Sequence, residues 1–418
     1  MSFINKSKKE IIYIDNVFPI FNLAKQAREK YGNKKVIDAT VGTLYDENKK
    51  IVSFNTVFNS FNNDVSNATK ASYTPQIDGG DEFTEITKKI LFLNYDFLYD
   101  SKVVATAGGT GALFLGLNTL LDNDDCIIMP SLKWEPVKLI TQENNIKVYE
   151  FDLFNKNNEF DVSNLINAIK AAANKHKKIC IYLNDPLHNP TSYSMNYYEW
   201  KKLIDFLNEL SRNKKIVVLN DVAYIEYAKD VYQTKQYMNL LKNLNKNIVW
   251  LFCVSYSKTL SFYGMRLGAV VIYNKDQKLV DQIYNSFKVR CRSLWGSVNH
   301  GAVETLVKLY NHNFNLYLEE KQKYIDLLEK RFKTFNYHAN RVGLEVYPND
   351  NQGFFLTIPG YIKNNKLLHQ KLMDNNIFAV LYKEGIRIAI CSLNMNECEN
   401  LPVKIKTIID EVIKNENK

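Results

Sequence analysis

The amino-acid sequence predicts an α/β protein with a mostly parallel, seven-stranded sheet flanked by helices, and a smaller α+β domain formed by both chain ends. Short β-branched runs alternate with segments of helical apolar spacing through the middle of the chain. These runs are apolar at successive positions, which is typical of strands that are covered on both faces. With 418 residues, the chain is long enough for two or three domains and a substantial core.

Each predicted strand is a short apolar run that is followed by a turn or a helical pattern. The predicted strands of the large sheet lie at 103–107, 126–130, 147–151, 179–184, 216–221, 249–254 and 267–273. Helical spacing fills the intervals, as at Leu203, Phe206, Leu207 and Leu210. Strands that are separated by helices predict parallel neighbours with helices on both sides of the sheet.

The two ends of the chain differ from its middle. Near the N-terminus, 18–31 has helical spacing and 36–39 resembles a short strand. After Gly301, the amphipathic pattern over 303–335 contains no Gly or Pro and predicts one long helix, and strands follow near 353–358 and 385–390. We therefore predict three segments. Residues 1–48 form an N-terminal arm and part of the small domain, residues 49–300 form the large domain, and residues 301–418 form an interdomain helix and the small C-terminal domain.

Composition argues against several classes of protein. The formal net charge is +9, from 54 Lys and Arg against 45 Asp and Glu, but the lysines are scattered and form no recognised nucleic-acid-binding module. No apolar run approaches 18 residues, and the polar N-terminus does not resemble a signal peptide. The six cysteines show no CxxC and no pairing with His at metal spacing. We expect a cytoplasmic protein with reduced thiols, no metal, and no nucleic-acid or membrane partner.

Ligands of open α/β sheets bind beyond the carboxyl ends of the strands, so the residues that follow each predicted strand are candidate site residues. Gly-Gly-Thr-Gly at 108–111 opens a helix, where backbone N–H groups favour a phosphate. The loop lacks the Lys of a Walker loop and the third Gly of a dinucleotide fingerprint, so a turn without a ligand is an equal alternative. Asn189 lies in a turn made rigid by two prolines, and Asp221 ends an apolar strand, where burial is costly without a positive partner. Taken singly, the turn at Asn189 could be a turn without a function, and Asp221 could be an exposed carboxylate in a loop.

The most specific pattern follows the strand at 249–254, with Ser-Tyr-Ser-Lys-Thr at 255–259 and Gly-Met-Arg-Leu-Gly at 264–268. Lys258 leaves a wholly apolar strand, and a desolvated lysine has a lowered pKa and forms a Schiff base with an aldehyde. Two serines and an arginine of the same pattern supply phosphate ligands. Together with Asp221, donors on the neighbouring loops and Trp134 as a flat apolar partner, these groups meet the requirements of pyridoxal phosphate, although a core position is the alternative for Trp134.

These motifs, in this order and spacing, resemble those of the fold-type I pyridoxal-phosphate-dependent aminotransferases, nearest the aspartate and aromatic type. The similarity runs over nearly the whole chain and is carried by Asn-Pro-Thr at 189–191, Asp-x-Ala-Tyr at 221–224, Ser-x-Ser-Lys at 255–258 and Gly-x-Arg-x-Gly at 264–268. The resemblance implies an enzyme that uses pyridoxal 5'-phosphate, bound by the large domain. It further implies ping-pong transfer of an amino group between an amino acid (aspartate, glutamate or aromatic favoured) and a 2-oxo acid.

The resemblance also implies a role for each matching residue. Lys258 corresponds to the Schiff-base lysine and proton shuttle, and Asp221 to the partner of the pyridine nitrogen. Asn189 and Tyr224 correspond to the donors to the phenolate oxygen, and Trp134 to the residue that stacks on the ring. The residues that correspond to the phosphate ligands are Gly109, Thr110, Ser255, Ser257 and Arg266.

Substrate and partner contacts follow from the same resemblance. Arg387, in Gly-Ile-Arg-Ile-Ala at 385–389, corresponds to the arginine that holds the substrate α-carboxylate in a two-pronged pair. Gly42 lies in the segment that closes over substrate, and Tyr73 corresponds to the tyrosine that reaches the neighbouring subunit's phosphate, which implies a homodimer with composite active sites. Arg292 is either a second clamp, for a side-chain carboxylate, or a structural or surface arginine, because its segment is one residue shorter than the family's pattern.

The sequence departs from the family at two points and leaves other functions open. Ser192 stands where the family usually has Gly, and Glu135-Pro136 follows Trp134 in place of Asn and His. A β-lyase or decarboxylase on the same scaffold would share Lys258 with an aminotransferase. A nucleotide-dependent oxidoreductase would need the missing third Gly, and a catalytically silent binding protein would be expected to have lost Lys258 or Arg387.

Overall fold

The computed structural model describes residues 3, 15–360 and 365–416. The strands are β1 (Ile37–Asp38), β2 (Lys102–Ala107), β3 (Cys126–Pro130), β4 (Lys147–Phe151), β5 (Lys178–Asn184), β6 (Lys215–Asp221), β7 (Ile248–Ser255), β8 (Leu267–Tyr273), β9 (Phe355–Pro359), β10 (Ile377–Phe378), β11 (Val380–Tyr382) and β12 (Gly385–Ala389). The α-helices are α1 (Phe18–Tyr31), α2 (Asn55–Asn59), α3 (Asn67–Ala71), α4 (Asp81–Phe92), α5 (Gly108–Leu120), α6 (Pro136–Glu143), α7 (Val162–Ala173), α8 (Tyr197–Leu210), α9 (Val231–Thr234), α10 (Tyr256–Thr259), α11 (Gln277–Leu294), α12 (His300–Val342), α13 (Asn365–Asp374) and α14 (Met395–Glu416).

The central sheet has seven strands in the order β2-β8-β7-β6-β5-β3-β4. Adjacent strands of this sheet are parallel except at β8, which runs antiparallel to β2 and to β7. In the middle of the sheet, Asn184 pairs with Asp221 and Asp221 with Cys253, so β5, β6 and β7 end at about the same level. The predicted α/β fold with a mostly parallel, seven-stranded sheet is confirmed, and every predicted strand boundary of this sheet lies within one residue of the observed one.

Strand β7 explains why the sequence shows continuous apolar runs rather than alternation. All of its residues are buried. Trp250, Phe252 and Val254 belong to the core on one face of the sheet, which also contains Leu203 and Leu207 of α8. The intervening residues Val249, Leu251 and Cys253 belong to the core on the other face, with Leu113 and Leu117 of α5. Because helices cover both faces, each position along the strand has to be apolar.

Both ends of the described chain contribute to a second, smaller unit. Strands β11, β12 and β9 form an antiparallel sheet, and the parallel pair β1–β10 joins Ile37 to Ile377. A separate core contains Phe332 of α12, Leu372 of α13 and Ile405 of α14. The division into 1–48, 49–300 and 301–418 stays a prediction, and its residues 1, 2, 4–14, 361–364, 417 and 418 lie outside the described residues.

The long helix α12 extends beyond the predicted 303–335 at both ends. Its start is capped by Asn299, whose side chain accepts the N–H of Ala302, and it ends at Gly343, which has a left-handed φ of 66°. The backbone of Asn313 is non-helical, so the helix is kinked there. Neither α12 nor any other helix of the described residues is long and apolar enough to cross a membrane.

Candidate active site

A cavity of about 700 Å³ lies at the carboxyl ends of β5, β6 and β7. The ends of these strands contribute Asn184, Asp221 and Ser255 to its wall. Twelve of the fourteen predicted site residues line this cavity: Gly42, Gly109, Thr110, Trp134, Asn189, Asp221, Tyr224, Ser255, Ser257, Lys258, Arg266 and Arg387. The structure therefore brings together residues that are up to about 350 positions apart in the sequence.

One end of the cavity is built to bind an anion. Gly108, at the start of α5, has a φ of +71°, and a Cβ there would lie 2.3 Å from Nη2 of Arg266, so only glycine allows this approach. Nη1 of Arg266 donates to Oγ of Ser257 at 2.9 Å and to the carbonyl of Tyr263 at 3.0 Å. The first N–H groups of a 13-residue helix, next to a guanidinium and hydroxyl groups, match the ligands that proteins use for phosphate.

Lys258 follows β7 on the short helix α10 and lines the cavity. Its Nζ donates to the carbonyl of Gly42 at 2.6 Å and lies 4.8 Å from the centre of the Tyr263 ring. Burial lowers the pKa of the amine to about 8, and the positive charges of Arg387 and Arg266 act in the same direction. A larger fraction of this amine is therefore neutral at neutral pH than in a free lysine, as a nucleophile or a base requires.

Asp221 ends β6, and its carboxylate faces the cavity from the middle of the sheet. Oδ2 accepts the hydroxyl of Tyr182 at 3.2 Å, and Oδ1 accepts the N–H of Ala223 at 3.2 Å. Among the described residues, no cationic side chain pairs with this carboxylate, and burial raises its pKa to about 7. A buried carboxylate without a counter-charge is a suitable partner for a cationic group such as a protonated ring nitrogen.

Arg387 enters the cavity from β12 of the small unit. Its Nη1 donates to Oδ1 of Asn189 at 3.2 Å, its Nη2 donates to the carbonyl of Thr40, and its guanidinium lies 4.5 Å from the centre of the Phe355 ring. Nε is buried and has no hydrogen-bond partner among the residues that the structure describes. A buried guanidinium that still has an unused N–H is suited to bind a carboxylate.

The remaining predicted cavity residues are fixed by the loops that follow the strands. The N–H of Asn189 donates to Oδ1 of Asn184 at 2.7 Å, which ties the turn after β5 to the end of that strand. Tyr224 is 5% exposed, and its ring centre lies 5.7 Å from Nζ of Lys258. Trp134 lines the cavity and also packs on the edge of a core cluster, so its predicted stacking role stays a prediction beside the alternative core position.

Tyr73 and Arg292 do not line the cavity of this chain. The side chain of Tyr73 is 85% exposed. Arg292 is exposed as well, and its Nη1 donates to the carbonyl of Gly296 at 3.3 Å. The role predicted for Tyr73 lies across a subunit interface, which one chain does not test, so the roles of both residues stay predictions.

Sequence reasoning missed several residues of this cavity. Tyr263 accepts the N–H of Leu44 at 3.1 Å and faces Lys258, and its position directly before Gly264 is the signal that could have revealed it. Phe355 and Tyr382 come from the small unit, and no local pattern in their strands predicts that they face the site. Glu135, one of the departures from the family pattern, also lines the cavity.

The residues that line the cavity match the chemical groups of pyridoxal phosphate. The glycine cradle at Gly108 and the guanidinium of Arg266 match its phosphate. The amine of Lys258, with its lowered pKa, matches an aldehyde, and the unpaired carboxylate of Asp221 matches a ring nitrogen that binds a proton. The unpartnered Nε of Arg387 leaves room for the carboxylate of a substrate next to the cofactor.

Relatives of this chain are aminotransferases. The family model for aminotransferase class I and II matches residues 34–405. The chain is 28% identical over 270 residues to the mitochondrial aspartate aminotransferase of Saccharomyces cerevisiae, and the aligned part covers 58% of this chain. The chain thus spans 58% of the length of that yeast relative.

Two solved structures share the fold. An aminotransferase from Anaerococcus prevotii is 29% identical with a TM-score of 0.92, over 97% of this chain and 99% of that chain. The aromatic-amino-acid aminotransferase of Burkholderia pseudomallei, which is covalently bound to pyridoxal phosphate, is 20% identical with a TM-score of 0.78, over 98% of this chain and 100% of that chain.

The predicted family, fold and pyridoxal phosphate cofactor are thereby confirmed. The relatives named above are all aminotransferases, so the β-lyase, decarboxylase and oxidoreductase alternatives are not favoured. Since the family model matches nearly the whole described chain, this protein belongs to the class I and II aminotransferases.

Proposed function

We propose that this chain moves an amino group between an amino acid and a 2-oxo acid in two half-reactions that depend on pyridoxal phosphate. The observation that carries the proposal is the convergence of Lys258, Asp221 and Arg387 in one cavity. Aspartate, glutamate and aromatic amino acids are proposed as donors, since the relatives above include an aspartate and an aromatic-amino-acid aminotransferase.

When bound, pyridoxal phosphate supplies a carbonyl carbon that bonds to amines and a ring that takes up electrons from the substrate Cα. Arg387 holds the α-carboxylate and thereby fixes Cα relative to Lys258. Nζ of Lys258, whose lowered pKa raises its neutral fraction, would accept the Cα proton and later return a proton. Asp221 keeps the proton on the ring nitrogen. Asn189, whose Oδ1 is engaged by the guanidinium, keeps Nδ2 for donation to the bound cofactor.

The proposal is tested by replacing Lys258 with Ala. Because the substitution removes both the nucleophile and the base, we expect turnover of every amino acid to fall by at least about 10³-fold. The measurement is the rate of 2-oxo acid formation by the purified holoenzyme. The control is Lys278→Ala, which removes an exposed lysine on α11 and should keep normal rates. Normal turnover in Lys258→Ala would contradict the proposal.

We also infer a homodimer with composite sites. Tyr73 is exposed, while its neighbour Thr74 is buried and donates to the carbonyl of Val298 at 3.0 Å, so an anchored segment presents a large aromatic side chain to the surroundings. Arg292 is proposed as a second carboxylate clamp only in such a composite site. Sedimentation of the holoenzyme tests the dimer, and an active monomer would contradict it.

A cytoplasmic location is proposed from the thiols. All six cysteines are free and buried, and none forms a disulfide. Reduced, unpaired cysteines in this number are typical of a reducing compartment.

A further inference from the structure

We infer that Tyr182 is a positioning residue for the cofactor: its hydroxyl keeps the Asp221 carboxylate ionised and oriented, so that a proton shared with the ring nitrogen stays on the nitrogen. This inference rests on the role that the proposed function gives to Asp221 and goes further by naming the residue that acts through it. Tyr182 lies within the predicted strand at 179–184, and the sequence alone marks it only as a member of an apolar run.

The hydroxyl of Tyr182 contacts Asp221 from within the core. Tyr182 is fully buried on β5 and belongs to the core cluster that also contains Leu113 and Leu117 of α5. In the sheet it pairs with Leu219, two residues before Asp221. Its hydroxyl donates to Oδ2 of Asp221 at 3.2 Å, so the side chain extends toward the carboxyl end of β6. A buried tyrosine hydroxyl needs such a partner, and here the partner is a carboxylate that lines the cavity.

Each oxygen of the carboxylate accepts from one donor. Oδ2 accepts from Tyr182, and Oδ1 accepts the N–H of Ala223 at 3.2 Å, so the two hydrogen bonds fix the orientation of the carboxylate. Burial raises the pKa of Asp221, and both hydrogen bonds lower it because they favour the ionised form. When a carboxylate and a ring nitrogen share one proton, the proton stays with the more basic group. Loss of the Tyr182 hydroxyl should therefore move the proton toward Asp221 and make the ring a weaker electron acceptor.

The other ionisable groups around Asp221 do not change this reasoning. Cys253 of β7 pairs with Asp221 in the sheet, and Tyr224 follows β6. Burial raises the pKa of both groups well above their ordinary values, so both stay neutral while Asp221 titrates. Helix α5 carries no ionisable residue. Lys258, whose pKa burial lowers to about 8, donates to the carbonyl of Gly42, and it titrates in the wild type and in a variant of Tyr182 alike.

The substitution Tyr182→Phe removes the hydroxyl and keeps the ring. Urea unfolding of the cofactor-free protein near pH 5 and near pH 9 compares its effect on the protonated and on the ionised carboxyl. Relative to the effect near pH 5, we expect the unfolding equilibrium constant to rise by about a further tenfold near pH 9, because Asp221 in the folded chain gains about tenfold in proton affinity. A purely structural loss of the hydroxyl would change stability equally at both pH values.

A second measurement uses the holoenzyme with pyridoxal phosphate that is isotopically labelled at the ring nitrogen. The NMR chemical shift of this nitrogen distinguishes a protonated ring from a neutral one. We expect Tyr182→Phe to move the shift toward the value of the neutral ring. We also expect kcat for an amino donor to fall about tenfold while KM stays within about twofold, because Arg387 is left to bind the substrate carboxylate.

The matched control is Tyr273→Phe, which removes a buried hydroxyl from β8 of the same sheet, where it donates to the carbonyl of Leu241 at 3.3 Å. This control should change stability equally at both pH values and leave the shift of the ring nitrogen unchanged. In an Asp221→Asn background, Tyr182→Phe should lose the part of its effect that depends on pH. A Tyr182→Phe protein that folds only in this background would also support the inference, since the neutral amide tolerates the loss of the donor.

An effect of Tyr182→Phe on stability that does not change with pH, or an unchanged shift of the ring nitrogen, would overturn the inference. The Asp221→Asn holoenzyme separates this failure from a failure of the proposed function. If Asp221→Asn moves the shift and Tyr182→Phe does not, the inference fails and the proposed function stands. If neither substitution moves the shift, the role of Asp221 in the proposed function fails as well.

Discussion

Replacing Asp221 with Asn should stabilise the cofactor-free protein although it disables the site. Burial raises the pKa of this carboxyl from its ordinary value of 3.8 to about 7 in the folded chain. Between these two pH values the folded chain keeps a proton that the unfolded chain has released, so the free energy of unfolding decreases as the pH rises. A tenfold change in proton affinity corresponds to about 1.4 kcal/mol, so the ionised carboxylate costs the folded chain about 4 kcal/mol above pH 7.

The neutral amide avoids this cost at every pH. Its single oxygen can accept from the hydroxyl of Tyr182 or from the N–H of Ala223, so one of the two hydrogen bonds to Asp221 is lost, at about 1 kcal/mol. We therefore expect Asp221→Asn to raise the free energy of unfolding by about 3 kcal/mol near pH 8. Near pH 4 the wild-type carboxyl holds its proton, and the variant should be slightly less stable.

Urea unfolding of the cofactor-free proteins at several pH values measures this difference. The control is Asp205→Asn, which changes an exposed carboxylate on α8 that pairs with Lys201 and should have little effect at any pH. Adding pyridoxal phosphate should stabilise the wild type more than Asp221→Asn, since only the carboxylate can pair with a protonated ring nitrogen. A variant that is less stable than the wild type near pH 8, or a difference that does not change with pH, would refute the reasoning.

Three further substitutions test other parts of the site. Arg387→Ala should raise KM about 100-fold for every amino and 2-oxo acid, because all of them share the α-carboxylate. Steady-state kinetics with several donors measures this change. An increase in KM for only one class of donor would mean that another residue binds the α-carboxylate. Gly108→Ala should weaken cofactor binding at least about tenfold, because the new Cβ would lie 2.3 Å from the facing guanidinium. Equilibrium dialysis checks it against Gly264→Ala, where nothing lies within 4 Å and binding should be kept. Ser192→Gly should lower the free energy of unfolding, measured with urea, by about 1 kcal/mol. The variant loses the hydrogen bond from the N–H of Phe355 to Oγ of Ser192, and this loss outweighs the relief of the positive φ of residue 192. A more stable variant would contradict this.

The cofactor end of the site could be predicted from the sequence because its residues are local to strand ends. Asp221 ends β6 and Lys258 follows β7 by three residues. Since parallel strands end at one edge of the sheet, positions that are far apart in sequence become neighbours once the strands are recognised. The order and register of the strands then decide which strand ends are adjacent, and neither requires knowledge of side-chain packing.

At the substrate end, Gly42 and Arg387 could be predicted only through the family resemblance and not from the pattern of strands, because this end forms where two units meet. The carbonyl of Gly42 accepts Lys258 across 216 positions, and Phe355 covers the guanidinium of Arg387. Both contacts depend on how the small unit packs against the large sheet, and no periodicity in either segment specifies that packing. The contribution of Tyr73 requires a second chain and is beyond what one chain's sequence pattern or fold determines.

Pairing distinguishes the charges that hold the fold from those that serve the site. Glu226 lies two residues after Tyr224 and is buried, yet it accepts Lys235 at 2.7 Å and Lys321 at 3.3 Å. Burial would raise the pKa of Glu226, but the two ammonium groups outweigh it and hold the pKa below its usual value, so this charge is stabilised within the protein. Asp221 is as deeply buried, and no cationic side chain of the described residues pairs with it, so a bound group that carries a positive charge would offset the cost of burying this carboxylate.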